Sequence, residues 1–202
     1  MSTRPYVLRK KTPGRPYVYP ALYRFLYCCG ARCGEARHLR CENVHLSDGY
    51  LDILQSKGHR DRRLFLSDEL ISYLIEYDCA IRNCFPKREY FFPGPSGNII
   101  SASSIPFNFR KIWLAAGLKR DGEIKPRPYD FRHHFACANI ARWAKEKKDV
   151  ISMLPYLMRY MGHSSLEKTY YYVHLIPDYF ADYAAATENL ESLLPEVEPY
   201  EI

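Results

Sequence analysis

Val44-His45-Leu46-Ser47-Asp48-Gly49-Tyr50-Leu51-Asp52-Ile53-Leu54, with the return segment Arg63-Leu64-Phe65-Leu66, is where the sequence reads as sheet. Val44–Leu46 and Tyr50–Leu54 alternate or run apolar around Ser47-Asp48-Gly49, and an Asp-Gly pair between two such runs predicts a hairpin. Arg63–Leu66 then pairs back as a third strand, and the intervening Ser56-Lys57-Gly58-His59-Arg60-Asp61-Arg62 is a tip loaded with cations. Outward from this sheet the chain reads as helix. On the N-terminal side, Leu22, Phe25, Leu26 and Cys29 recur at helical spacing from Pro20 until Gly30 stops the pattern, and a short helix covers Gly34–Arg40. On the C-terminal side, Ser67 caps a helix whose first turn holds Asp68 and Glu69, at the positive end of the dipole, and whose core face is Leu70, Leu74, Tyr77 and Ile81. Tyr90–Phe92 forms a short apolar segment. Ser103, Ser104 and Pro106 open a helix that ends at Gly117, another runs from near Tyr129 through Trp143, and residues 151–161, 165–173 and 178–194 give three more helical patterns. The predicted class is α+β, mainly helical with a small antiparallel three-stranded sheet.

The 202 residues suit one domain with ordered loops, and 47% hydrophobic with 26% charged residues excludes a disordered or collagen-like chain. No apolar run reaches the ~18 residues of a membrane helix, and the N-terminus lacks the ~7–15 apolar residues of a secretory signal, so a cytoplasmic location is expected. Seven cysteines without scaffold-like spacing are expected to be free thiols in a reducing compartment. Cys29, Cys33, His38 and Cys41 lie close in sequence, yet burial on helix faces explains them better than zinc does. Charge is unevenly spread: residues 1–172 carry a net +13 and residues 173–202 a net −7. A basic body suits a polyanion such as nucleic acid, and an acidic end suits packing on that body or on a second copy. Residues 1–16, with Arg4, Arg9, Lys10, Lys11 and Arg15 among Pro and Gly, read as a flexible basic arm or linker, residues 17–177 as the main domain, and residues 178–202 as a C-terminal helix and acidic tail.

Several polar residues stand in contexts that suggest chemistry. Arg32 lies just past the Gly30 helix stop with Glu35 three residues on, where a carboxylate can hold a guanidinium through a bidentate pair. Arg132 falls at the beginning of a helix, an end suited to anions. His163 sits in Met161-Gly162-His163-Ser164-Ser165, a sharp break between helices in which the imidazole need not be buried. Tyr170, Tyr171 and Tyr172 are adjacent, and about 100° separates neighbours on a helix, so one of them can address a given phosphate while packing accounts for the others.

Gly30-Ala31-Arg32-Cys33-Gly34-Glu35-Ala36, Lys57-Gly58 in the basic hairpin, Tyr129-Asp130-Phe131-Arg132-His133-His134-Phe135-Ala136, and Met161-Gly162-His163-Ser164-Ser165-Leu166 with Thr169 and Tyr172 resemble, in kind and in order, the tyrosine recombinase (phage integrase) catalytic domain. The resemblance spans about residues 18–180, and the interval of nine from His163 to Tyr172 agrees with the family's interval from histidine to nucleophile. It implies a tyrosine recombinase catalytic-domain-like fold and a site-specific DNA recombinase or integrase of the kind carried by mobile genetic elements. Carried over, the pattern has Tyr172 attack the scissile phosphorus to leave a 3′-phosphotyrosine, Arg32, Arg132 and His163 bind the phosphate oxygens, and Lys57 protonate the leaving 5′-oxygen. Rejoining reverses the steps, so neither ATP nor a metal or other cofactor is expected.

The chain departs from the family at Tyr129, where a histidine usually stands three residues before the second arginine. A tyrosine there can hydrogen-bond the phosphate or the nucleophile but is a poor base near neutral pH. Recombinases of this family usually also carry an N-terminal helical domain that clamps the other face of the DNA. With about 16 residues ahead of the pattern here, the expected partners are double-stranded DNA, further copies contacted on DNA through the C-terminal helix, and a separate core-binding domain or full-length recombinase. Nucleoid association is expected when DNA is bound. The competing expectation is a truncated, catalytically weak or inactive DNA-binding remnant that occupies recombination sites or pairs with a full-length recombinase. A helix-turn-helix regulator would leave Lys57 and Tyr172 unexplained.

Overall fold

The computed structural model describes residues 14–54, 61–118 and 126–173. Those residues form α1 (Arg15–Cys29), α2 (Cys33–His38), β1 (Val44–His45), β2 (Tyr50–Ile53), β3 (Arg62–Phe65), α3 (Asp68–Cys84), α4 (Ser104–Ala115), α5 (Asp130–Lys145), α6 (Val150–Met161) and α7 (Glu167–Val173). The α+β reading therefore holds. Lys57, most of the 1–16 arm and the acidic 178–202 segment lie outside the described residues. Among the described residues no helix is long and apolar enough to cross a membrane.

The elements form where local chemistry favours them, with shifts at the edges. α1 starts at Arg15, inside the segment read as an arm, because Pro16 supplies a first-turn residue whose missing N–H has no helical partner to lose. At its other end Gly30 adopts φ 58°, and its N–H closes onto the Leu26 carbonyl. A Cβ at Gly30 would come within 2.6 Å of the Phe135 ring, so glycine here also lets α1 and α5 approach. The Ser67 hydroxyl accepts from the Leu70 N–H, and α3 buries Leu70, Leu74, Tyr77 and Ile81, the face its period predicts.

The sheet runs β1-β2-β3, both pairs antiparallel, with Val44 opposite Leu51, Leu51 opposite Leu64 and Ile53 opposite Arg62. Leu46 leaves the first strand because Leu46–Asp48 wind into a 3-10 turn, and β3 begins one residue earlier than its apolar run suggests. That one residue matters. Side chains alternate across a strand, so Arg62 shares the inward face with the buried Leu64, while Arg63 faces out and pairs with Asp52.

The core divides in two. One cluster gathers α1, α2, the sheet, α3, Phe91, Phe92 and α4; the other gathers Ala136, Ile140 and Trp143 of α5 with Val150, Leu154, Leu157 and Met161 of α6 and Tyr172 and Val173 of α7. Tyr160 packs against both. Arg32, Arg132, His163 and Tyr172 meet along this seam.

Candidate active site

The last carbonyls of an α-helix have no partner within the helix and lie at the negative end of its dipole. At the end of α6 three consecutive carbonyls each receive a guanidinium from a different part of the chain. Arg62 Nε donates to Tyr160 O at 2.7 Å, Arg132 Nη2 to Met161 O at 2.6 Å, and Arg32 Nη2 to Gly162 O at 2.8 Å. Arg132 Nη1 also reaches the carbonyl of Gly30, at the end of α1, at 2.7 Å. Two helix C-termini thus gather cations that would otherwise repel one another.

Glu35 supplies the counter-charge. Its carboxylate accepts from Arg32 N–H at 2.9 Å and Arg32 Nη1 at 2.7 Å, and takes a two-pronged contact from Arg62 at 3.0 and 2.8 Å. The bidentate partner is therefore Arg62, not Arg32 as the spacing suggested: Arg32 caps α2 and the first turn of that helix returns Glu35 to the Arg32 backbone N–H, while the inward face of β3 brings Arg62 over the other side. Burial alone would raise the Glu35 carboxyl, but the bonds and charge of Arg62, joined by those of Arg32, bring it down to about 2. Arg132 is 1% exposed as a whole residue and the Arg62 side chain 6%, against 26% for the Arg32 side chain, so Arg32 is the cation most open to a ligand. Burial, the charge of Arg32 and that of Arg62 lower the Arg132 guanidinium to about 10, with Glu35 and Tyr172 pulling the other way, so it stays charged at neutral pH.

Gly162 makes the corner. It caps α6 at φ 67°, and a Cβ there would stand 3.0 Å from Arg62 Nη1. Gly162→Ala should cost at least about 1–2 kcal/mol for the left-handed backbone alone, read as a lower urea midpoint at unchanged m-value.

His163 follows, and it is buried rather than open: α7 folds back over it, and its Nδ1 lies 2.8 Å from the hydroxyl of Thr169, itself fully buried. Burial first, then the charges of Arg132, Arg32, Lys168 and Arg62, lower the imidazole to about 4, so it is neutral at pH 7. A neutral ring carries one N–H. Where the Thr169 hydroxyl donates to Nδ1, the ring proton stands on Nε2. Nitrogen-15 NMR should show that tautomer and a titration midpoint near pH 4; Thr169→Val should mix the tautomers and Thr169→Ser should restore one.

Tyr172 is buried beside this imidazole, ring centroids 6.0 Å apart and planes within 13°. Its phenol is raised by burial, against a lowering by the Arg132 charge. The His133 ring touches its other side at 5.5 Å. Tyr129, at the start of α5, is 45% exposed and meets His133 at 5.0 Å. Of the residues expected to act together, Arg32, Arg132, His163 and Tyr172 converge, Tyr129 stands at the rim, and Lys57 lies outside the described residues. Arg62 and His133 were not singled out in the sequence; the alternation from Leu64 back to Arg62 carried the signal for the first. Cys29, Cys33, His38 and Cys41 do not assemble: among the described residues no three His, Cys, Asp or Glu side chains form a metal-binding group.

The arrangement brings two guanidinium groups, a neutral imidazole and a phenol together at the end of α6, which fits a phosphate oxygen set and a nucleophile. Comparison with known proteins points the same way. The phage integrase family pattern matches residues 10–178. The Sinorhizobium fredii protein y4rE, which carries an integrase/recombinase name, is 32% identical over 165 residues, 80% of this chain and 52% of that one. The tyrosine recombinase XerC of Lactobacillus delbrueckii subsp. bulgaricus is 28% identical over 175 residues, 84% of this chain and 55% of its own. A crystal structure of XerH site-specific recombinase bound to a palindromic difH substrate, a post-cleavage complex, shares the fold with a TM-score of 0.65 at 23% identity, over 89% of this chain and 48% of that one. The chain spans about half the length of the curated relatives it matches.

Proposed function

The chain belongs to the phage integrase family, and from that premise we propose that it is a site-specific DNA recombinase that breaks and rejoins strands through a phosphotyrosine at Tyr172. The observation that supports this most is the meeting of Arg32, Arg132 and His163 with Tyr172 at the end of α6. A guanidinium has five N–H donors, and the two arginines each spend some on carbonyls or Glu35 and keep others for an incoming phosphate. His163 donates through Nε2 to the same phosphate. Such donors act on the charge that accumulates on phosphorus-bound oxygens as the pentavalent transition state forms.

Tyr172 Oη then forms a bond to phosphorus as the bond to the 5′-oxygen breaks. Lys57 is assigned the proton for that oxygen, since lysine, unlike arginine, readily gives up a proton. The phosphotyrosine keeps the energy of the broken ester, so rejoining to another 5′-hydroxyl needs no ATP. Double-stranded DNA is the proposed substrate, held by the basic body. The C-terminal helix is the proposed contact between copies on DNA, with a core-binding domain or full-length recombinase completing the grip.

The test is a nicked suicide substrate built from DNA flanking the gene, incubated with the chain and a chelator and resolved on a denaturing gel. A chelator-resistant protein–DNA adduct, with the label mapped to Tyr172 by peptide sequencing, is the expected result. Binding without any adduct, even with a core-binding domain supplied in trans, would replace this reading with that of an inactive DNA-binding remnant.

A further inference from the structure

Tyr129 and His133 stand four residues apart at the start of α5, on one face of the helix. His133 contacts Tyr129 on one side and Tyr172 on the other, at ring separations of 5.0 and 5.5 Å. Its Nδ1 is sealed from solvent and has no hydrogen-bond partner among the described residues. A buried polar atom left unpaired costs about 1–3 kcal/mol, and such orphans call for a state in which they are satisfied.

The attack by Tyr172 defines such a state. A phenol ordinarily holds its proton near pH 10, and burial here raises it further, so the proton needs an acceptor as the oxygen bonds to phosphorus. The neighbours of Tyr172 differ in what they can accept. Arg132 only donates. His163 pairs through Nδ1 with the Thr169 hydroxyl, and the reading above assigns it to the phosphate. Tyr129 is a second phenol and a poor acceptor near neutral pH. His133 is an imidazole with an unused buried nitrogen, against the ring of the nucleophile.

We propose that His133 is the base of this site, receiving the Tyr172 proton in place of a residue at position 129, one helical turn earlier. The inference rests on the recombinase reading above. In the forward step the Tyr172 Oη–phosphorus bond forms, the phosphorus–O5′ bond breaks, the phenolic proton passes to His133 Nδ1, and the 5′-oxygen takes its proton from Lys57. In the return step the incoming 5′-hydroxyl gives its proton to Lys57 and His133 returns its proton to the departing phenolate. The hydrogen bond between Tyr172 and His133 is made when the phosphate seats, as catalytic hydrogen bonds often tighten only in the complex.

The experiment measures single-turnover adduct formation on the nicked substrate by the full chain. His133→Asn keeps an amide nitrogen where Nδ1 stands but cannot take a proton, and His133→Gln serves as a second variant. Each should bind DNA normally and form adduct at least about 100-fold more slowly. Placing 3,5-difluorotyrosine at position 172 makes the phenol more acidic and should recover at least tenfold of that loss. A role in packing alone would give no recovery, and that result, or a His133→Asn rate within threefold of the native rate, overturns the proposal. Native chain without any adduct overturns the recombinase reading and this one with it; native chain with adduct and unaffected His133 variants overturns this one alone.

Discussion

Tyr172→Phe should abolish the covalent DNA adduct, a loss of at least about 10⁴-fold, because removing a nucleophile leaves only the background reaction. The substitution is nearly isosteric. The ring keeps its contacts with His163 and His133, and the deleted hydroxyl makes no hydrogen bond among the described residues, so stability should stay within about 1 kcal/mol of native. DNA binding should persist, since the cations that meet phosphate are untouched. Tyr171→Phe supplies the contrast. Tyr171 is 55% exposed where Tyr172 is buried, as neighbouring positions about 100° apart on a helix allow, so the adduct should form at close to the native rate. Should Tyr171→Phe lose the adduct while Tyr172→Phe keeps it, the nucleophile lies one residue earlier and the contacts of His163 and His133 with Tyr172 are packing.

Periodicity and caps made most of the helices legible. Leu70, Leu74, Tyr77 and Ile81 repeat at intervals that can only place one face of α3 inward, and Ser67 and Gly30 carry terminal signals that act within a few residues. Arg32, Arg132, His163 and Tyr172 were legible as a set because order and spacing along the chain resemble a known pattern. The anchoring of the arginines was not. Their acceptors are the carbonyls of Tyr160, Met161 and Gly162, and every residue has a carbonyl, so no side-chain pattern marks these three. His163 read as open because Gly-His-Ser-Ser is a polar break, yet its burial depends on Thr169 in α7, a tertiary contact that local sequence does not express. Arg62 was masked by its setting in a cationic tip, and only the register of β3 against β2 separates it from the outward Arg63.

Glu35→Gln should weaken the folded state by about 3 kcal/mol at pH 7 and impair cleavage with it. Arg32, Arg62 and Arg132 converge on the end of α6, and Glu35 is the carboxylate that pairs two of them from a side chain only 5% exposed. Removing one partner of a buried ion pair leaves uncompensated charge, which typically costs about 3–5 kcal/mol. The carboxyl displacement from 4.5 to about 2 gives a similar figure, about 3 kcal/mol at about 1.4 kcal/mol per pH unit. The sign follows from linkage: the folded carboxyl is the stronger acid, so the unfolded chain binds more protons as pH falls below 4.5. The Glu35 contribution is therefore complete above pH 4.5, shrinks through pH 3 and is gone below about 2. Urea unfolding of native and Glu35→Gln chains at pH 7, 5, 4 and 3 reads this as a gap that is constant between pH 7 and 5 and narrows below. The His163 imidazole, lowered to about 4, costs stability in both chains as pH falls from 6.5, so taking the difference between chains isolates the carboxylate. A gap that stayed constant down to pH 3 would mean that Glu35 matters for its shape and not its charge. Cleavage should fall more steeply than stability, because a Gln oxygen can keep the Arg32 N–H but the charge that fixes the Arg32 fork is lost, and a guanidinium free to rotate meets a phosphate without the set geometry on which transition-state binding depends.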